Sequence, residues 1–146
     1  MLAKHFAVLL TLTIALPHGT FADSLKSTAE ARQLTDRVMQ KVGEGNIESG
    51  LQLIKPYLVI PLAEFDVMVD RLKMQLPAMT QRFGKSIGHE FIREDKTGET
   101  LFRIVQIHRF ERHPMRWVFY FYRSTDGWVL DSFKTDDEII KLFPDG

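Results

Sequence analysis

Apolar residues recur at helical spacing through the first half of the chain and alternate through the second. From Ser24 to about Val42 they fall at Leu25, Ala31, Leu34, Val38 and Val42, a stripe with a helical period. Gly43 and Gly45 break it, and Asn46 is placed to cap a short second helix carrying Ile47, Leu51 and Ile54 that ends near Pro56. A third helix is predicted from Pro61, since proline suits a first turn. Its stripe is Leu62, Phe65, Val69, Leu72, Leu76, Met79 and Phe83. Pro77 is expected to kink it or end it early, because proline removes one backbone hydrogen bond and crowds the preceding turn. Gly84 closes the helical half.

From Ser86 the period falls to two. Strands are predicted over about 86–94, 100–111, 115–124 and 128–134, joined by "DKTG", "RHPM" and "STDG". Short turns between consecutive strands make an antiparallel meander. Pairing across the turns sets Glu111 opposite Arg116, Ile107 opposite Tyr120, Tyr122 opposite Asp131 and Glu90 opposite Arg103. One face then collects Ile87, His89, Phe91, Phe102, Ile104, Gln106, His108, Phe110, Trp117, Phe119, Phe121, Trp128, Leu130 and Ser132, and is expected to pack on the helices. The other collects Glu90, Arg103, Val105, Ile107, Arg109, Arg116, Val118, Tyr120, Tyr122, Val129, Asp131 and Phe133, and is expected to meet solvent or a partner. After the last strand, "TDDE" reads as a capping box. Thr135 is the N-cap, Glu138 stands three residues on, and Asp136 and Asp137 fall in the first turn of a short C-terminal helix. The fold class is therefore α+β, N-terminal helices packed on a bent four-stranded antiparallel sheet.

Composition changes this picture at its N-terminal end. "MLAKHFAVLLTLTIALPHGTFA" carries Lys4, an apolar run from Phe6 to Leu16, then Pro17 and Gly19, with Thr20 and Ala22 at the small-residue positions before Asp23. This is the layout of a secretory signal peptide, and its apolar run is shorter than the roughly 20 residues that span a bilayer. Residues 1–22 are expected to be removed near Ala22, leaving 23–146 as a single secreted or periplasmic domain with no membrane association. Without Lys4, the 19 basic side chains become 18 against 19 acidic ones. That balance argues against a nucleic-acid partner. The chain has no cysteine, which excludes thiol catalysis and cysteine zinc sites.

The order of three helices and a four-stranded meander, together with "RWVFYFYRSTDGWVLDSF" and "DDEIIKLF", resembles small secreted bacterial members of the NTF2-like (cystatin-like, SnoaL-like) superfamily. The resemblance spans nearly all of residues 24–143. It implies a cone-shaped fold, a pocket between sheet and helices, and dimerisation through the outer face of the sheet. It implies no single activity, because that superfamily hosts enzymes, binding modules and scaffolds.

Four polar side chains interrupt the apolar inner face: His89, Gln106, His108 and Ser132. Apolar walls with a few convergent polar groups are the usual form of a small-molecule site. The same residues could equally satisfy one another or the backbone. A ketosteroid-isomerase-like or dehydratase-like enzyme would need a buried carboxylate or histidine base with a donor opposite, and this face offers histidines without a carboxylate. On the outer face, Val118, Tyr120 and Tyr122 lie in an apolar patch ringed by arginines including Arg109, the composition of a protein interface. A second helix or the N-terminal segment could instead cover it. No histidine pair has helical metal-ligand spacing, and no cofactor motif is present. The leading expectation is a non-enzymatic domain that binds a small molecule or a partner protein, with a possible homodimer through the outer face. A small isomerase or lyase with a histidine pocket, and a structural subunit of the cell envelope, are the alternatives.

Overall fold

The computed structural model describes residues 22–144, so the apolar leader read from the sequence lies outside the described residues. Helix α1, Thr28–Gly43, starts where Ser27 accepts a hydrogen bond from the Glu30 amide while the Glu30 carboxylate accepts one from the Lys26 amide. It buries Ala31, Leu34, Thr35, Val38, Met39 and Val42 along one face. Gly45, at φ 85°, turns the chain into α2, Ile47–Gln52, which is capped by the Asn46 side chain. A 3₁₀ turn, Lys55–Tyr57, then leads to α3, Leu62–Phe83.

Pro77 does not end α3, which runs its full 22 residues to a Gly84 cap. Pro77 is exposed, so water can reach the carbonyl its ring leaves without a partner, and buried Leu72 and Phe83 anchor the helix on either side. Leu62, read as the first member of the buried stripe, is exposed.

The sheet is a meander in the order β1-β2-β3-β4: β1 Ser86–Thr97, β2 Leu101–Phe110, β3 Pro114–Arg123 and β4 Trp128–Asp136. The free edge of β4 is bridged by Leu25 at Trp128 and by Leu58 at Leu130. The β2–β3 turn is centred two residues earlier than "RHPM" suggests, on Glu111 and Arg112, so Ile107 faces Arg116 and His108 faces Met115. That displaces the expected register by four residues, an even number, and every β2 and β3 side chain keeps its expected face.

The bulges are what the alternation could not foresee. β4 carries Asp131 as an extra residue, so Phe121 faces Leu130 while Tyr120 faces Ser132. Beyond that point the faces exchange. Ser132, expected inside, lies on the outer face, and Phe133, expected outside, joins the core against Trp117 and Phe119. Ile87 sits at a bulge in β1 and is exposed rather than packed on the helices. Tyr122 pairs with Val129 and not with Asp131, and Glu90 with Ile107 and not with Arg103.

The C-terminus also differs from its local signals. β4 extends through Thr135 and Asp136, because Asp136 lies opposite Arg116 and pairs with it, Nε to Oδ1 at 3.0 Å. Thr135 is thus a strand residue, and the Asp136 carboxylate accepts the Glu138 amide instead. The helix predicted there is one 3₁₀ turn, Ile139–Leu142. No helix among the described residues is long and apolar enough to cross a membrane.

Candidate functional site

The inner face of β2 sets Gln106 and His108 beneath α1, and both are buried. The Gln106 amide nitrogen donates to Thr35 Oγ1 at 3.1 Å and to Asp36 Oδ1 at 2.9 Å. Thr35 in turn donates to the Arg32 carbonyl. Asp36 receives Arg32 Nε at 2.8 and 2.9 Å on its two oxygens, and the Arg32 guanidinium lies 3.2 Å from the centre of the Phe91 ring. One turn of α1 is therefore tied to two strands by a linked set of bonds. The exception is Gln106 Oε1, which is buried and has no protein partner.

His108 Nε2 is 2.7 Å from Ser86 Oγ, while Nδ1 has no protein partner. Burial, and then the charge of His89, push its pKa down to about 4. The imidazole is thus neutral across the usual pH range, and the Phe110 ring packs 4.1 Å away. His89 is its direct cross-strand neighbour and is only half-buried.

Beside His89 and Gln106 opens a cleft of about 350 Å³ between α1 and β1. Arg32, Asp36, Arg37 and Gln40 line its helical wall, and His89, Glu90, Phe91 and Gln106 its strand wall. The structure therefore brings His89 and Gln106 together at one opening and seals His108 behind them. Ser132 is on the opposite side of the sheet, where its hydroxyl donates to the Asp131 carboxylate. Thr35, Asp36 and Arg32 were not singled out from the sequence. Thr35 had a usable signal, because it stands four residues after Ala31 on the buried stripe and is polar.

The outer face does not form one open patch. Residues 137–144 cross it from the end of β4 over β3 toward β1, where Arg93 donates to the Leu142 and Lys141 carbonyls at 2.6 and 3.3 Å. Val118, proposed from the sequence as an interface residue, is sealed under this strap with Val105, and is only 1% exposed. The cover comes from the C-terminal end, not from a second helix or the N-terminal segment. Arg109 is exposed near the β2–β3 turn, Tyr120 is half-buried and Tyr122 is 46% exposed on the uncovered half. Two ion pairs tie down the start of the strap. Arg116 and Asp136 form a nearly buried one that holds the aspartate below the usual carboxylate range, and Arg82 reaches Asp137. Comparison with protein-family models, curated proteins and solved structures finds no match for the chain.

Proposed function

We propose that this chain is an exported, non-enzymatic binding domain of NTF2-like kind that takes a small polar ligand in the cleft between α1 and β1. The observation that carries this reading is Gln106, a buried amide at the cleft wall whose nitrogen is fully engaged and whose oxygen has no protein donor. A buried acceptor without a partner costs about 1–3 kcal/mol, and because this oxygen is closed to solvent, a ligand recovers that energy where its binding shifts the Gln106 side chain enough for the oxygen to meet a donor. Arg37 and His89 supply further donors at the rim.

Isomerase or lyase chemistry fits the arrangement less well. The histidine best held by a neighbour, His108, is sealed from the cleft, and the carboxylate nearest Gln106 is already occupied by Arg32. A general base has to reach the proton it removes. A thermal-shift screen of small carboxylates, amides, amino acids and sugars tests the proposal. A ligand at about 100 times its Kd stabilises the fold by about 2.7 kcal/mol, enough to raise Tm by several degrees. The expected hit loses its effect in Arg37→Ala and His89→Ala. A screen without hits, or hits indifferent to both substitutions, defeats the reading.

A further inference from the structure

The outer face of the sheet carries one polar row between two apolar ones. Strand pairing sets Asp95 opposite Arg103, Arg103 opposite Tyr120 and Tyr120 opposite Ser132, so a line of polar side chains crosses all four strands. The row on one side holds Leu101, Tyr122 and Val129, and on the other Val105 and Val118 lie under the strap. A groove of about 480 Å³ follows the polar row, with Asp131 projecting from the β4 bulge at its side.

The two ends of this groove are oppositely charged. At the β1–β2 end one carboxylate serves two guanidiniums. Asp95 Oδ2 accepts Arg93 Nε at 3.0 Å and Arg103 Nε at 2.8 Å, which leaves a net positive charge. The terminal nitrogens of Arg103 have no partner among the described residues, so its fork is open to a carboxylate. At the β4 end Asp131 forms no ion pair among the described residues, and it holds only the Ser132 hydroxyl, on one of its two oxygens. Half-buried Tyr120 lies between the two ends.

We propose that this groove binds a short peptide with free ends, two or three residues long, its carboxylate on Arg103 and its ammonium on Asp131. The length follows from the sheet. Arg103 and Asp131 stand on β2 and β4, two strand spacings or about 10 Å apart. Arg103 leans away from β4 to reach Asp95 on β1, and the short Asp131 side chain does little to close the gap. With a hydrogen bond of about 2.8 Å at each end, a free amino acid bridges about 9 Å, and two or three extended residues bridge roughly 12–16 Å. One amino acid therefore falls short, and a dipeptide or tripeptide fits. Leu101, which is 47% exposed, and the Tyr120 ring favour apolar side chains on the peptide. The groove shares no residue with the α1–β1 cleft, so either proposal can fail without the other.

The test is a titration of the dipeptide Leu-Phe, followed by backbone amide shifts, into isotopically labelled protein from cells expressing the full 146-residue sequence. The expected result is saturable binding with a Kd of about 0.1 mM and shifts centred on Arg103, Tyr120 and Ser132. Acetylating the amino end of the peptide, or amidating its carboxyl end, should each weaken binding to the unaltered protein at least about 10-fold. Asp131→Asn and Arg103→Gln should do the same for the uncapped peptide, with circular dichroism verifying each fold. The acetylated peptide should lose nothing further in Asp131→Asn, which ties that end of the ligand to that residue. Arg37→Ala and His89→Ala should leave the Kd unchanged. Absence of saturation by about 5 mM overturns the proposal, as does binding that either cap or either groove substitution leaves intact. Binding abolished by Arg37→Ala or His89→Ala would place the peptide in the α1–β1 cleft and overturn it too. Free leucine binding as tightly as the dipeptide overturns the assigned length.

Discussion

The two faces of the sheet are built on one alternating pattern and closed in opposite ways. The inner face is covered by helices that bring polar side chains of their own, so Gln106 meets Thr35 and Asp36 where it would otherwise be stranded. The outer face is covered in part by a short strap, held mainly by Arg93 of β1 and His113 of the β2–β3 turn on strap carbonyls and anchored where it leaves β4 by the Arg116–Asp136 pair. The inner cover is thus bound by interdigitated core packing, the outer by a few polar clasps. Energy of folding should concentrate on the first side and freedom to respond to partners on the second.

Substitutions can break that contrast. Phe119→Ala, at the centre of the inner face, should cost about 3–5 kcal/mol in urea denaturation, whereas Val118→Ala, its neighbour beneath the strap, should cost roughly 2 kcal/mol or less. Equal losses would show the strap to be as firmly packed as the helices. Next in size is an effect of acid on the inner side. His108 has a folded pKa of about 4, below its unfolded value of 6.5, so the unfolded chain takes up the proton first as pH falls. Its contribution to stability is whole above pH 6.5 and is lost between pH 6.5 and 4, by about 3 kcal/mol in all. Denaturant midpoints at pH 7.5, 5.5 and 4.5 should trace this fall, and His108→Gln should flatten it. A wild-type profile that stays level across the window would mean the imidazole is open to water. The smallest effect belongs to Arg93→Ala, which removes the clasp at the far end of the strap and should cost about 1 kcal/mol. Its sharper readout is faster hydrogen exchange in residues 138–143, with α1 unchanged.

The same contrast explains how much could be read from the sequence. Strand number, order and nearly all face memberships were legible, because alternation survives any even slip of register, and the β2–β3 pairing slipped by four. One extra residue at Asp131 was enough to send Ser132 out of the candidate site and Phe133 into the core. His89, Gln106 and His108 were legible as polar interruptions of an apolar face. Their partners were not, because Thr35 and Asp36 come from a helix about 70 residues earlier, and local pattern says nothing of such contacts. The acids at the end of β4 mislead for a related reason. Thr135 to Glu138 satisfy every local rule for starting a helix, but Arg116 across the sheet draws Asp136 into the strand.

Where α1 ends, a Cβ added to Gly43 would stand 2.7 Å from the carbonyl carbon of Gly88. Helix and strand are therefore in backbone contact there, with no tolerance for even a methyl group. In the second turn of the helix the Arg32–Phe91 stack makes a second point of support. Two supports of such different kind work as a gauge block and a pivot: the glycine sets the spacing between helix and sheet, and the stack sets the angle. Gly43→Ala would shim the C-terminal end of α1 away from β1 while the pivot holds, tilting the wall that carries Arg37 and Gln40. The width of the cleft is thus governed by a residue that does not line it.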